Sequence, residues 1–231
     1  MAELTTFQLA CGIAVLATVS FAGHAAAQDV DLDHVILGVP SLALGIETFA
    51  SLTGVTPERG GRHPGRGTEN ALVSLGSGHY LELLAPIATA ESAPALTAVP
   101  LNVVGWALHT RALPELISRV RAAGLLMQGP VPGSRQTPTG KLLQWRTAAP
   151  DGAGLELAPF VIEWSADSPH PSTTAPSGCR LVELRLAAPE PSTLQRYLGA
   201  AGYRGGVEQA ATSAATLILD CPKGRVVFSS P

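Results

Sequence analysis

The sequence predicts an α+β protein made of three tandem βαβββ modules. Three observations predict it. One order of parts recurs three times: a strand, an apolar-periodic helical stretch, then further apolar runs. A glycine closes the helical stretch of every copy, at Gly54, Gly124 and Gly202, which sets a near-constant period of roughly 70 to 80 residues. Each copy also carries late Gly-containing turns between apolar runs: GSGH, PDGAG and PKG. Paired copies of one such unit place equivalent strand positions around a shared cavity.

In the first copy, LDHVILGVP (Leu32 to Pro40) alternates from His34 to Val39 and is rich in Val and Ile, so it reads as a strand that Pro40 and Ser41 break. Leu42, Ile46, Phe49 and Leu52 approximate helical spacing, and Gly54 fits a C-terminal cap. GGRHPGRGTEN (Gly60 to Asn70) holds four glycines and a proline and is expected to be irregular. ENALVSLG and YLELLAP then read as strands. In the second copy, VGWALHT is the strand. Leu113, Leu116, Ile117, Val120 and Ala123 make an apolar helical face, and KLLQW and LELAPF (Leu155 to Phe160) are the closing strands. In the third, LVELRLAAP is the strand, Leu194, Tyr197 and Leu198 mark the helix, and ATLILD and RVVF close the copy. Ala/Pro/Thr-rich Ile87 to Pro100 joins copies one and two. Pro/Ser/Thr-rich Ser165 to Gly178 joins copies two and three and is expected to be the more exposed. The expected division is a signal peptide over 1–27, paired modules over 28–165, a linker over 166–178 and the third module over 179–231.

The 231 residues are 46% hydrophobic and 14% charged, a globular composition with enough chain for a proper core. The net charge of −3, without a basic stripe, argues against nucleic acid, as does the low aromatic content of 5%. Leu9 to Phe21 is apolar but short for a bilayer span, and Ala25 to Ala27 offers small residues for cleavage. An exported protein beginning at Gln28, with no membrane association after cleavage, is expected, although Glu3 precedes the apolar run and no Lys or Arg does. Cys179 and Cys221 can pair in an oxidising compartment or simply pack as small hydrophobes.

Two carboxylates stand out. Glu82 in YLEL and Glu156 in LEL lie between leucines in expected strands, where an acid needs a cation, a donor or a proton. His34 sits in the first strand. Together LDHV, YLEL and PDGAGLEL resemble the vicinal oxygen chelate superfamily, which includes glyoxalase I, extradiol dioxygenases and bleomycin-resistance-type proteins. GGRHPGRGT, YLEL and PFVIEW look most like its glyoxalase-like branch. The resemblance implies that modules one and two pair into a cup-shaped, half-open barrel. It also implies metal ligands from first and last strands: His34, Glu82 and Glu156 around a divalent ion. The fourth place falls on Trp106, with His109 on the opposite face. The third copy has Glu183 where His34 stands, and Val227 or Phe228 where the others have Glu. It is read as structural, extending the sheet or meeting a second copy in a homodimer.

The Gly-rich segment can bring Arg62 or Arg66 to an anionic substrate group, with His63 as donor or proton carrier and Asn70 beside them. Arg135 and Trp145 are placed on the far side of the cup. Catalytic roles thus fall to Glu82, Glu156 and His63, and substrate contacts to Arg62, Arg66, Asn70, Trp106 and Arg135. No G-x-S-x-G motif or Cys–His arrangement is present. The expected function is a lyase, isomerase or dioxygenase acting on a small oxygenated molecule. The alternative is a non-catalytic binding protein with Trp106 as its aromatic floor.

Overall fold

The computed structural model describes Met1 and residues 30–63, 65–87 and 100–231. The expected signal peptide lies outside these residues apart from Met1, as does most of the connector Ile87 to Pro100. The first module runs β1 (Asp31–Gly38), α1 (Leu42–Thr53), β2 (Glu58–His63), β3 (Thr68–Gly76) and β4 (His79–Pro86). The second runs β5 (Asn102–His109), α2 (Leu113–Ala122), β6 (Leu126–Gln136), β7 (Leu142–Asp151) and β8 (Phe160–Trp164). The third runs β9 (Arg180–Ala188), α3 (Ser192–Ala201), β10 (Glu208–Gln209), β11 (Ala214–Cys221) and β12 (Gly224–Ser229). The element order is therefore β-α-β-β-β three times.

The helices stop where glycine makes stopping cheap. Gly54 (φ 81°) and Gly202 (φ 97°) take left-handed cap positions, which side chains with a Cβ adopt at a cost. Helix α2 ends one residue earlier, on Ala123, with left-handed Gly124 following.

Modules one and two form one barrel of strand order β1-β4-β3-β2-β6-β7-β8-β5. Antiparallel β1–β5 is the broad seam between them. The opposite seam, β2 to β6, is held by a single paired position, Arg62 with Gln136. The segment Gly60 to Asn70 is not irregular, as its composition suggested. It is a hairpin of β2 and β3, and its glycines serve the seam: a Cβ on Gly61 would collide with the backbone oxygen of Gln136.

The second module closes on β8, which begins at the last residue of the expected strand. Leu155 to Leu157 lies in turns instead. The third module keeps the element order but not the wiring. Its sheet is ordered β10-β9-β11-β12, with β9 antiparallel to β11, whereas in the first module β1 lies parallel to β4. A disulfide joins Cys179 to Cys221 across this sheet. All three helices bury their apolar faces in one continuous core, which Leu113, Leu116, Phe49, Leu194 and Tyr197 share. The connector between modules two and three is not an exposed spacer. Its 3-10 turn Pro171–Thr173 packs on β3 and β4, Ser74 N donates to Pro176 O at 2.8 Å, and His170 turns inward.

Candidate active site

A cavity of about 320 Å³ occupies the barrel interior. Strand alternation builds its wall: His34 and Ile36 from β1, Tyr80, Glu82 and Leu84 from β4, Asn70 and Leu72 from β3, and Phe160, Ile162 and Trp164 from β8. Arg135 and Trp145 complete the far side, and His63, Arg66 and Thr68 the mouth. Aromatic rings and aliphatic side chains make the surface largely apolar, with polar groups gathered in one quadrant.

That quadrant centres on Glu82. Asn70 Nδ2 donates to its Oε1 at 2.7 Å. His34 Nε2 lies 3.5 Å from Oε2, and His63 Nε2 lies 3.8 Å from Oε1. All four side chains are buried or nearly so. His63 is fixed from its other nitrogen by Thr68 Oγ1 at 2.9 Å. Burial pushes the His63 imidazole below its ordinary value. Glu82 opposes this, while Arg135, Arg66 and His34 add to it, and the balance favours the neutral ring. Arg135 is buried to 3% exposure and donates through Nη1 to Gly60 O. Its burial weakens the guanidinium's hold on its proton, against the pull of Tyr80 and Glu82. Asn70 Oδ1 is buried beside Gly60 with no hydrogen-bond partner among the described residues.

His34 is held by a residue that strand alternation sends to the other face. Asp33 Oδ1 meets His34 Nδ1 at 2.6 Å. The β1–β5 register slips between Leu32 and His34, so Asp33 is the extra residue of a bulge and turns toward its neighbour's ring. Its other oxygen, Oδ2, accepts from Trp164 Nε1 at 3.1 Å and meets His170 Nε2 at 3.0 Å, with His109 Nδ1 at 3.5 Å. Full burial alone would raise this carboxyl, but the three surrounding imidazoles, His109, His170 and His34, hold it well below the carboxylate range. Tyr80 stacks on His34 with ring centroids 4.5 Å apart. Burial pushes its hydroxyl far up, and the Asp33 and Glu82 charges push it further.

The expected site residues divide as follows. His34, His63, Arg66, Asn70, Glu82 and Arg135 converge on the cavity. Arg62 does not. Its side chain is 71% exposed and reaches Glu69 at 3.8 Å. Glu156 does not either. It lies in the turn before β8, where its Oε1 accepts from Gly154 N at 3.1 Å, and it borders a different cavity. Trp106 faces outward. It pairs with Val35, while the inward partner of His34 is Ala107. Trp106 Nε1 donates to Leu157 O at 2.8 Å, and its ring packs on Tyr203 of the third module. It is no floor for a ligand in the cup.

This arrangement does not fit the expected divalent ion. Of the four strand positions, β1 and β4 offer His34 and Glu82, but β5 offers Ala107 and β8 offers Ile162. Among the described residues no group of three or more His, Cys, Asp or Glu side chains is arranged to hold a metal. Asp33 and His170 escaped sequence reading. The one available signal was an acid directly beside a candidate histidine in an apolar strand.

The family description that matches is a glyoxalase-like domain, over residues 32–201. No curated protein matches. Among solved structures, a hypothetical protein from Staphylococcus aureus is similar over 87% of this chain and 85% of that chain, at 16% identity and a TM-score of 0.60. Methylmalonyl-CoA epimerase from Mycobacterium tuberculosis is similar over 62% of this chain and 90% of that chain, at 18% identity and a TM-score of 0.37. The Streptomyces coelicolor epimerase in complex with 2-nitronate-propionyl-CoA gives 60%, 97%, 16% and 0.40 in the same order. At these identities the likeness is one of fold.

Proposed function

This chain belongs to the glyoxalase-like domain family of the vicinal oxygen chelate superfamily, and we propose that it is an enzyme of the isomerase or lyase type that moves a proton at a carbon beside a carbonyl. One observation carries the reading: a buried carboxylate, Glu82, faces a buried imidazole, His34, at 3.5 Å, and that imidazole is anchored on Asp33. Asp33 stays ionised, so His34 Nδ1 keeps its proton toward it. His34 Nε2 then exchanges a proton with Glu82 Oε2, which makes the pair a proton acceptor and donor in an otherwise apolar chamber.

The substrate this chemistry fits is a small oxygenated anion with an acidic C–H. Glu82 takes the proton, the C–H electron pair becomes the new carbon–carbon π bond, the carbonyl π pair moves onto oxygen, and the resulting enolate lies near Arg66 and Arg135. Proton return at carbon gives isomerisation. Loss of a leaving group from the next carbon gives elimination. Asn70 positions Glu82 through its amide nitrogen.

The test is exchange of C3 protons of 2-oxo acids into D2O, followed by proton NMR. Wild-type protein is expected to accelerate exchange, and Glu82→Gln to lose at least about a hundredfold. Equal exchange by the wild type and Glu82→Gln would sink the reading. We also propose that the protein is exported, a reading that the Cys179–Cys221 disulfide supports. Mass spectrometry of the protein recovered after expression should then find Gln28 at its N-terminus, and an intact Met1 would refute this.

A further inference from the structure

Arg135 is a buried cation without a counter-charge. It sits in the cup wall at 3% exposure. The exposed arginines Arg146, Arg180, Arg185 and Arg225 each reach a carboxylate. Among the described residues no carboxylate comes within ion-pair distance of Arg135. Glu82 acts on it only from further off, because the Glu82 oxygens face Asn70, His34 and His63. A charge taken out of water and left unpaired is strongly unfavourable unless an opposite charge meets it.

The chain nevertheless makes room for this cation. A Cβ on Gly60 would lie 2.7 Å from Arg135 Nη1, and closer still to Asn70 Oδ1. The missing side chain at position 60 is what seats the guanidinium. Nη1 donates to Gly60 O, and among the described residues this is the one hydrogen bond the group makes. A guanidinium carries five N–H donors, so most of the fork is left over. The charges that act on it belong to the cup. Tyr80 and Glu82 favour its protonated form, and Arg135 in turn acts on His63. Arg135 also borders a second cavity, beside Arg59, Lys141 and Glu58, but Glu58 is not among the groups that act on it.

The charge count narrows the ligand. One buried cation balances one negative charge, and a second negative charge there would meet Glu82. A planar, singly charged carboxylate matches the free fork of a lone guanidinium, whereas a phosphate dianion overfills it. We propose that Arg135 is the anion seat of the cup and selects 2-oxo acids: it takes the carboxylate of a monoanion, and the adjoining carbonyl then lies beside the same guanidinium. This deepens the proton-transfer reading and rests on it for the choice of a 2-oxo acid. The seat itself rests on Arg135.

The experiment is isothermal titration calorimetry with 2-oxobutanoate, its neutral methyl ester and inorganic phosphate. Wild type is expected to bind the acid at least about tenfold tighter than the ester, with phosphate failing to displace it. Arg135→Met keeps the stem and removes the charge. It should bind acid and ester alike, losing at least about a hundredfold for the acid. Its thermal midpoint without ligand should equal or exceed that of wild type, since an unpaired buried charge has gone. Arg135→Lys restores the charge without the fork and should recover only part of the preference. Lys141→Ser, in the second cavity, should leave acid binding within about twofold of wild type. A wild type that does not prefer acid to ester, a phosphate that displaces the acid, or a Met variant that keeps the preference overturns the seat. So does a preference lost in Lys141→Ser, which would place the anion in the second cavity. Should the Met variant fail to fold, the wild-type preference and the Lys variant decide the matter. C3 exchange of 2-oxobutanoate is scored in parallel. If exchange occurs without a preference for the acid, only the seat fails. If the preference depends on Arg135 but no exchange occurs, the seat stands and the proton-transfer reading fails.

Discussion

At the residue scale, Asp33 decides which nitrogen of His34 faces the cup. As an ionised acceptor it requires a proton on Nδ1. Asparagine in its place presents an amide that can donate, which allows the other tautomer and leaves three imidazoles around a neutral group. Asp33→Asn is therefore expected to cost about 3 kcal/mol of stability, because it unbalances a buried charge cluster. It should also lower C3 exchange at least about a hundredfold. Nitrogen-15 NMR of the His34 ring separates positioning from mere destabilisation: a tautomer unchanged by the substitution would refute the role. His63 gives a second prediction. Its folded-state value lies below the unfolded value of about 6.5, so its contribution is full above that pH and is lost as pH falls through the folded value. The groups that face it are Glu82, Arg135, Arg66 and His34. Thermal stability of wild type minus that of His63→Gln should shrink from pH 7.5 to 5.5. A difference that stays constant or grows would contradict the burial argument.

At the element scale, the weakest part of the barrel is the β2–β6 seam, held by one pair. Gly61 sits there at φ 131°, with the Gln136 oxygen where a Cβ would go, whereas Gly65, at φ 75°, has open space around it. Gly61→Ala should cost about 2 kcal/mol or more, and Gly65→Ala about 1 kcal/mol. Equal losses in chemical denaturation would show that the backbone contact is not what demands Gly61. The same seam explains what could be read from sequence and what could not. The helices were legible because their apolar spacing and glycine caps are local. Strand β6 was not, because its Gly and Pro residues hide the alternation of a strand. Gly133 is there because a Cβ would strike the Trp145 indole on the neighbouring strand, and a partner's ring is invisible in a local window. Glu156 misled for the converse reason: LEL alternates like a strand, yet the pairing partner of β5 is Phe160 to Ile162.

At the scale of the whole molecule, repetition was legible as element order but not as wiring. The third module repeats β-α-β-β-β, yet β9 pairs with β11 rather than with the last strand. It is joined to the barrel at many points. Tyr197 Oη donates to Pro159 O at 2.8 Å, Arg119 Nη2 to Ala201 O at 2.9 Å, and Trp106 packs on Tyr203. One apolar core runs through all three modules, so the chain should unfold as one cooperative unit. The disulfide spans 42 positions inside the third module, a loop whose closure is worth ~4 kcal/mol on the chain-entropy account. Replacing Cys179 and Cys221 by Ser should therefore lower the single unfolding midpoint of the whole protein, barrel included. Tryptophan fluorescence reports the barrel through Trp145 and Trp164 once Trp106, which packs on Tyr203 of the third module, is replaced by Phe in both proteins compared, and far-UV circular dichroism reports all three modules. Coincident transitions, both shifted in the double variant, are expected. A fluorescence transition that keeps its wild-type midpoint while the dichroism splits in two would show that the third module is a separate folding unit.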